Sequence, residues 1–173
     1  PEGVENPPVV VVTGAWTTVK EQMPAVYAEA LAKKGYAAVT FDFRGWGESS
    51  HKGTDEAPYL EDPAIKTADI RAVIDAVTQL DGVDGSRLAG VGVCASSGYM
   101  LDAALDNDEV KAVAVVAPWL HDVPMATQIY GGPESVKNLL SAADQATQGK
   151  EPQVIEAASL TNKGSLMYQV PYY

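Results

Sequence analysis

Apolar residues in the first 120 positions fall into short β-branched runs and longer stretches with helical spacing. Val9–Val12 is a continuous β-branched run, which is typical of a strand buried on both faces. The predicted strands are residues 9–12, 36–43, 88–93 and 110–117, and the predicted helices are residues 22–34, 68–80 and 96–105. Strands and helices that alternate with short turns indicate the α/β class, a mostly parallel sheet with helices on both faces.

The pattern changes after Pro118. Residues 133–148 and 152–160 predict two further helices, and no strong strand follows them. We therefore divide the chain into an apparently incomplete α/β core, residues 1–122, and a helical cap or connecting segment, residues 123–173. The first residue is a proline, and we expect the chain to be part of a longer protein.

Composition narrows the possible partners. The net charge of −11 and the pI near 4.4 oppose binding to a phosphate backbone, so we expect no nucleic-acid partner. Apolar runs fall well short of the ~20 residues that span a bilayer, and no secretory signal is visible, so we expect no membrane partner and a cytoplasmic protein. The single cysteine excludes an internal disulfide and a multi-cysteine zinc site, and we predict no metal or cofactor.

That cysteine, Cys94, stands in the segment LAGVGVCASSGYM, residues 88–100. A nucleophile elbow consists of a strand, a sharp turn with the reactive residue, and a helix, with small residues two before and two after the nucleophile. Gly92 and Ser96 fill those positions around Cys94. Ser96 is the alternative nucleophile, between Cys94 and Gly98, but it would lengthen the strand and shorten the helix. The pattern favours Cys94.

The chemistry of such a turn suits a thiol. A helix N-terminus presents unpaired N–H groups, which favour the thiolate. The N–H of Ala95 would face the developing oxyanion, and a second donor would come from Ala15 or Trp16 after the first strand. The alternative is that Cys94 has only a structural role and fills space in the core, because free cysteine is among the most buried residue types. A thiol redox sensor is a third hypothesis.

The same segment can also be interpreted as a dinucleotide-binding motif. Gly90, Gly92 and Ala95 formally fit G-x-G-x-x-A. That fingerprint opens the first strand–helix turn and has an acidic residue at the end of the next strand. Here the turn is internal and the next strand ends at Pro118 and Trp119, so we do not favour this reading.

Several segments together resemble the α/β-hydrolase superfamily, especially its dienelactone-hydrolase-like branch. They are VVVVTGAW, GYAAVTFDFRGWGESS, SRLAGVGVCASSGY and VKAVAVVAPW, within residues 7–122. The resemblance implies a Cys94 nucleophile, an oxyanion-hole turn at Ala15 and Trp16, and an ester or lactone substrate. We expect Asp42 and Arg44 to fix their loop by hydrogen bonds.

The sequence departs from the family at two places. Ser96 and Ser97 replace the glycines usual after the nucleophile. The family's acid and histidine follow later strands, so the resemblance implies that both lie outside this chain, either on a second polypeptide or in a missing segment. His121, beside Asp122, and His51 are weaker candidates for the base, and Trp119 for a pocket wall. The second hypothesis for function is a non-catalytic binding or scaffold domain with the hydrolase fold.

Overall fold

A parallel four-stranded sheet forms the centre of the first part of the chain. The computed structural model describes residues 3–49, 58–105, 107–148 and 156–169. Its elements up to Leu120 are β1 (Pro8–Thr13), α1 (Met23–Ala32), β2 (Ala37–Thr40), α2 (Pro63–Val77), β3 (Asp84–Val93), α3 (Ser96–Leu105) and β4 (Val110–Val116). The strand order is β2-β1-β3-β4. The predicted α/β class is confirmed.

Both faces of this sheet are covered by helices. On one face, Val9 and Val11 pack with Ile70 and Ile74 of α2 and Met100 of α3. On the other face, the cluster of Val10, Val12, Val91 and Val93 is covered by α1 through Met23, Tyr27, Ala28 and Leu31. The β-branched run Val9–Val12 is at most 3 % exposed, because its alternate side chains enter both clusters.

The largest boundary difference concerns α2. We expected this helix to begin at residue 68, but α2 begins at Pro63. Asp62 caps it, and its Oδ1 accepts hydrogen bonds from the N–H groups of Ala64 (2.8 Å) and Ile65 (3.2 Å). An aspartate before a proline is a helix-start signal that the apolar spacing alone does not include.

The described residues from His121 onwards, 121–148 and 156–169, belong to a second compact unit. It contains α4 (Val123–Ile129), α5 (Pro133–Thr147), β5 (Ala158–Ser159) and β6 (Met167–Tyr168). The predicted helix over residues 152–160 is wrong where it can be tested, since residues 156–160 are not helical and β5 pairs in parallel with β6. Residues 152–155 lie outside the described residues. No described helix combines the length and apolar character needed to cross a bilayer.

Candidate active site

Cys94 occupies a sharp turn between β3 and α3. Its φ of +58° lies in the left-handed region, which costs a residue other than glycine roughly 1–2 kcal/mol. Hydrogen bonds hold this backbone on both sides: Cys94 N–H donates to the Val116 carbonyl (2.9 Å), and the Cys94 carbonyl accepts from the N–H groups of Ser97 (3.1 Å) and Trp119 (3.0 Å). The side chain is half-buried.

The small residues around the turn permit a close approach of β3 to α3. A Cβ on Gly92 would lie 2.6 Å from the Ser96 carbonyl oxygen and 2.7 Å from Ser97 Cα. The hydroxyl of Ser97 donates to the Gly92 carbonyl at 3.0 Å, which ties the first turn of α3 to the strand. Ser96, the alternative nucleophile, is 1 % exposed, whereas Cys94 is accessible. Accessibility thus favours Cys94 over Ser96.

The two turns proposed to supply oxyanion donors lie at the same edge of the sheet. β1 and β3 are parallel neighbours with Thr13 opposite Gly92, so their carboxyl ends emerge side by side. Within the described residues, no acceptor takes the backbone N–H of Ala15, Trp16 or Ala95. The role of these amides as oxyanion donors stays a prediction.

The turn after β1 is tightly packed. The Ala15 carbonyl accepts from both the hydroxyl (2.7 Å) and the N–H (3.3 Å) of Thr18. In a trans peptide the N–H points opposite to the carbonyl, so the Trp16 N–H points away from Thr18. A Cβ on Gly14 would collide with the Thr18 hydroxyl and would lie 2.8 Å from Pro24 Cγ, which explains the glycine.

Asp42 ties together the loops that follow β1 and β2. Its side chain is 1 % exposed and accepts from the N–H (2.8 Å) and Nζ (2.7 Å) of Lys20 and from the Glu48 N–H (3.0 Å). Burial is the largest single influence and raises the pKa of Asp42, but these hydrogen bonds together outweigh it and leave the pKa below its ordinary value. The expected structural role of Asp42 is confirmed.

Arg44 has the same kind of role. Its N–H donates to Asp69 Oδ2 (2.9 Å) and its Nε to Asp69 Oδ1 (2.7 Å). The expectation that Arg44 fixes its loop is confirmed as well.

Three carboxylates lie close together beside this loop, those of Glu21, Asp42 and Glu48. The ammonium of Lys20 lies 2.6–2.9 Å from all three. A lysine thus balances this acidic cluster.

The two histidines and Trp119 were the other candidate site residues. His121 is exposed in the second unit, where its ring lies edge-on to Tyr130 with 6.3 Å between centroids. Asp122, its neighbour in sequence, caps α4 by accepting from the Met125 N–H at 2.7 Å. His51 lies outside the described residues. Trp119 is 50 % exposed after β4, and its role as a pocket wall stays a prediction.

Sequence reasoning missed a buried ion pair, Glu61 and Lys66. Lys66 Nζ lies 2.7 Å from Glu61 Oε2, with the side chains 2 % and 13 % exposed. A signal was present, because Lys66 precedes Ile70 and Ile74 by four and eight residues and so stands on the buried stripe of α2. A lysine there needs a partner inside the protein.

Comparisons with known proteins identify the fold family. Residues 7–144 match the family model for the alpha/beta hydrolase fold. The chain is 41 % identical over 99 residues to the uncharacterized protein YcjY of Escherichia coli K12, which covers 57 % of this chain and 31 % of that protein. It is 29 % identical over 117 residues to the esterase FrsA of Vibrio cholerae serotype O1, which covers 67 % of this chain and 26 % of that protein.

Solved structures agree with the family match. The crystal structure of hypothetical protein PA2218 from Pseudomonas aeruginosa superposes with a TM-score of 0.66 at 25 % identity, over 86 % of this chain and 46 % of that one. The chain thus spans less than half the length of each of these three proteins. The matches do not single out the dienelactone-hydrolase-like branch. The chain belongs to the alpha/beta hydrolase fold family.

Proposed function

We propose that the protein is a hydrolase of carboxylic esters or lactones that works through an acyl-enzyme on Cys94. The observation that carries this proposal is the left-handed backbone of an accessible cysteine between a parallel strand and a helix. Strain of this kind persists only where surrounding contacts enforce it, and it is concentrated at functional sites. A cysteine that served only to fill space would gain nothing from it.

The chemistry has two steps. The Cys94 thiolate attacks the carbonyl carbon and forms a C–S bond, and the negative charge moves to the carbonyl oxygen. That oxyanion accepts hydrogen bonds from the N–H of Ala95 and from the N–H of Ala15 or Trp16. The intermediate collapses and expels the alcohol, which takes a proton from a general acid. Water then attacks the thioester, and the acid product leaves with regeneration of the thiol.

The proton-transfer group in this proposal is a histidine outside these 173 residues. The matched structure of PA2218 extends well beyond the portion that this chain covers, which leaves room for such a residue in a whole protein of this fold. His121 is the candidate within the chain, and its replacement by alanine tests it. We also propose that the protein works in the cytoplasm, where a free thiol stays reduced.

Similarity to relatives supports the reaction class. FrsA of Vibrio cholerae, an esterase by name, aligns with 67 % of this chain. Trp119 is half-exposed just after β4, and its N–H is bonded to the Cys94 carbonyl, so we propose that its ring contacts the substrate. Whether an ester or a lactone is preferred depends on the acyl pocket.

Acylation by p-nitrophenyl acetate tests the proposal. We expect release of p-nitrophenol and an acetyl group on the peptide that carries Cys94, removable by neutral hydroxylamine because it is a thioester. If the base is absent, the acyl-enzyme accumulates and is easier to detect.

Two variants identify the nucleophile. Cys94→Ala should abolish acetylation at this peptide, whereas Ser96→Ala should keep it. An acetyl group on Ser96 would refute the thiol nucleophile. A wild-type chain that stays unacetylated would favour the non-catalytic binding domain instead.

A further inference from the structure

We propose that Glu61 is a positioning residue that fixes the two halves of the oxyanion hole relative to each other. The inference depends on the proposed function, because it concerns the same site. Glu61 lies just before α2, and its carboxylate is 13 % exposed. One oxygen, Oε2, accepts from the Thr17 N–H at 3.1 Å, and the other, Oε1, accepts from the Tyr99 hydroxyl at 3.3 Å.

The first of these hydrogen bonds holds the turn after β1. Thr17 directly follows Trp16 and has a φ of +62°, a left-handed conformation that is costly for a β-branched residue. Glu61 accepts the N–H of this strained residue, and a charged acceptor makes a stronger hydrogen bond than a neutral one. The direction of the adjacent Trp16 and Ala15 amides therefore depends on Glu61.

The second hydrogen bond holds the other half of the site. Tyr99 lies on α3, five residues after Cys94, and α3 begins directly after Ala95. Its hydroxyl bond to Glu61 fixes α3 at the level of its second turn. One carboxylate thus contacts both the turn with the Ala15 and Trp16 amides and the helix that carries the Ala95 amide at its start.

Lys66 in turn fixes Glu61. Its ammonium lies 2.7 Å from Glu61 Oε2 and faces the rings of Phe43 and Trp46 at 4.6 and 4.7 Å from their centroids. Burial lowers the pKa of Lys66, and the charge and hydrogen bond of Glu61 oppose that effect. These contacts anchor the ammonium, and the ammonium in turn fixes the carboxylate.

Glu61→Gln separates positioning from stability, because it keeps the shape of the side chain and removes its charge. Two reactions of Cys94 are compared in the full chain. Acylation by p-nitrophenyl acetate builds an oxyanion, whereas alkylation by iodoacetamide displaces iodide and builds none. For Glu61→Gln we expect the acylation rate to fall about tenfold, the size of one charged hydrogen bond, with alkylation unchanged.

Asp69→Asn is the matched control. Asp69 is also a paired carboxylate of similar exposure, 12 %, bonded to Arg44. Its loss should lower stability and leave the ratio of acylation to alkylation as in the wild type. Tyr99→Phe removes a single hydroxyl and keeps the ion pair, so it folds if Glu61→Gln does not. We expect about a threefold loss of acylation from it.

The outcomes separate the two proposals. If the wild type acylates Cys94 and both the Glu61 and Tyr99 variants keep the wild-type ratio, the positioning role is refuted and the proposed function stands. If acylation and alkylation fall together, Glu61 is only structural, and the inference is again refuted. If the wild type alkylates but never acylates, the proposed function fails and this inference fails with it.

Discussion

The left-handed backbone of Cys94 predicts an unusual order of stability between two variants. Cys94→Ala keeps a Cβ in the strained conformation, and Cys94→Gly removes it. Relief of strain favours the glycine variant by about 1–2 kcal/mol, while the greater freedom of glycine in the unfolded chain opposes this by about 0.5–1 kcal/mol. The glycine variant should therefore be more stable than the alanine variant by about 0.5 kcal/mol.

Ala72→Gly provides the comparison at an ordinary backbone position. Ala72 is exposed in the interior of α2, where glycine should be less stable than alanine by about 1 kcal/mol. The change in the free energy of unfolding from alanine to glycine should thus have opposite signs at positions 94 and 72, with a difference of about 1.5 kcal/mol. With a urea slope of about 2 kcal/mol per molar, that difference separates the unfolding midpoints by about 0.7 M.

Urea unfolding followed by tryptophan fluorescence measures both effects. The three tryptophans all precede His121, so the signal reports on the unit that contains the sheet and Cys94. If Cys94→Gly is less stable than Cys94→Ala by about 1 kcal/mol, as expected at Ala72, then Cys94 is not held in a strained turn. The elbow, and the catalytic proposal that depends on it, would be refuted.

Two further predictions concern the surroundings of the turn. Gly92→Ala should destabilise the protein by about 1–3 kcal/mol in urea unfolding, because its Cβ would overlap Ser97 Cα. The control, Gly98→Ala in α3, should be neutral or stabilising. Equal effects of the two substitutions on stability would contradict the close approach of β3 to α3. Asp42→Asn should cost about 2 kcal/mol at pH 7, because Asp42 accepts charged and backbone hydrogen bonds, including that of Lys20 Nζ. Since its folded pKa is lowered, that stability is present above pH ~4 and is lost as the pH falls through the folded pKa, so the difference between wild type and variant should shrink progressively below pH ~4; a constant difference would be inconsistent with an ionised Asp42.

The sheet and the helices around it were predictable because their signals are local. Helix α3 lies at the expected residues 96–105, since a short run of small residues after β3 marks its start. Strand β2 is shorter than expected, residues 37–40 rather than 36–43, although Phe41 and Phe43 still pack against the core. Apolar composition reflects burial rather than strand pairing: Phe43 is buried and Phe41 is partly buried, although neither belongs to the strand ladder.

The support of the candidate site was not predictable in this way. Glu61 contacts Thr17 and Tyr99, which are 44 and 38 residues away along the chain. Periodicity reports which face of an element is buried, and it carries no information on which polar group meets which across such distances. Glu61 also lies outside every predicted strand and helix, between the strand predicted to end at residue 43 and the helix predicted to begin at residue 68.

Strained backbone conformations occur at both turns of the candidate site. Two non-glycine residues with positive φ adjoin the proposed donors: Thr17 follows Trp16, and Cys94 precedes Ala95. Each is held by a distant group, Thr17 by the Glu61 carboxylate and Cys94 by the Val116 carbonyl at the end of β4. The residue types at the two turns indicate which atoms could react, but the direction of the amides depends on these distant contacts. On the proposed function, a substitution far along the chain should therefore weaken oxyanion stabilisation while the nucleophile and its thiol chemistry stay intact.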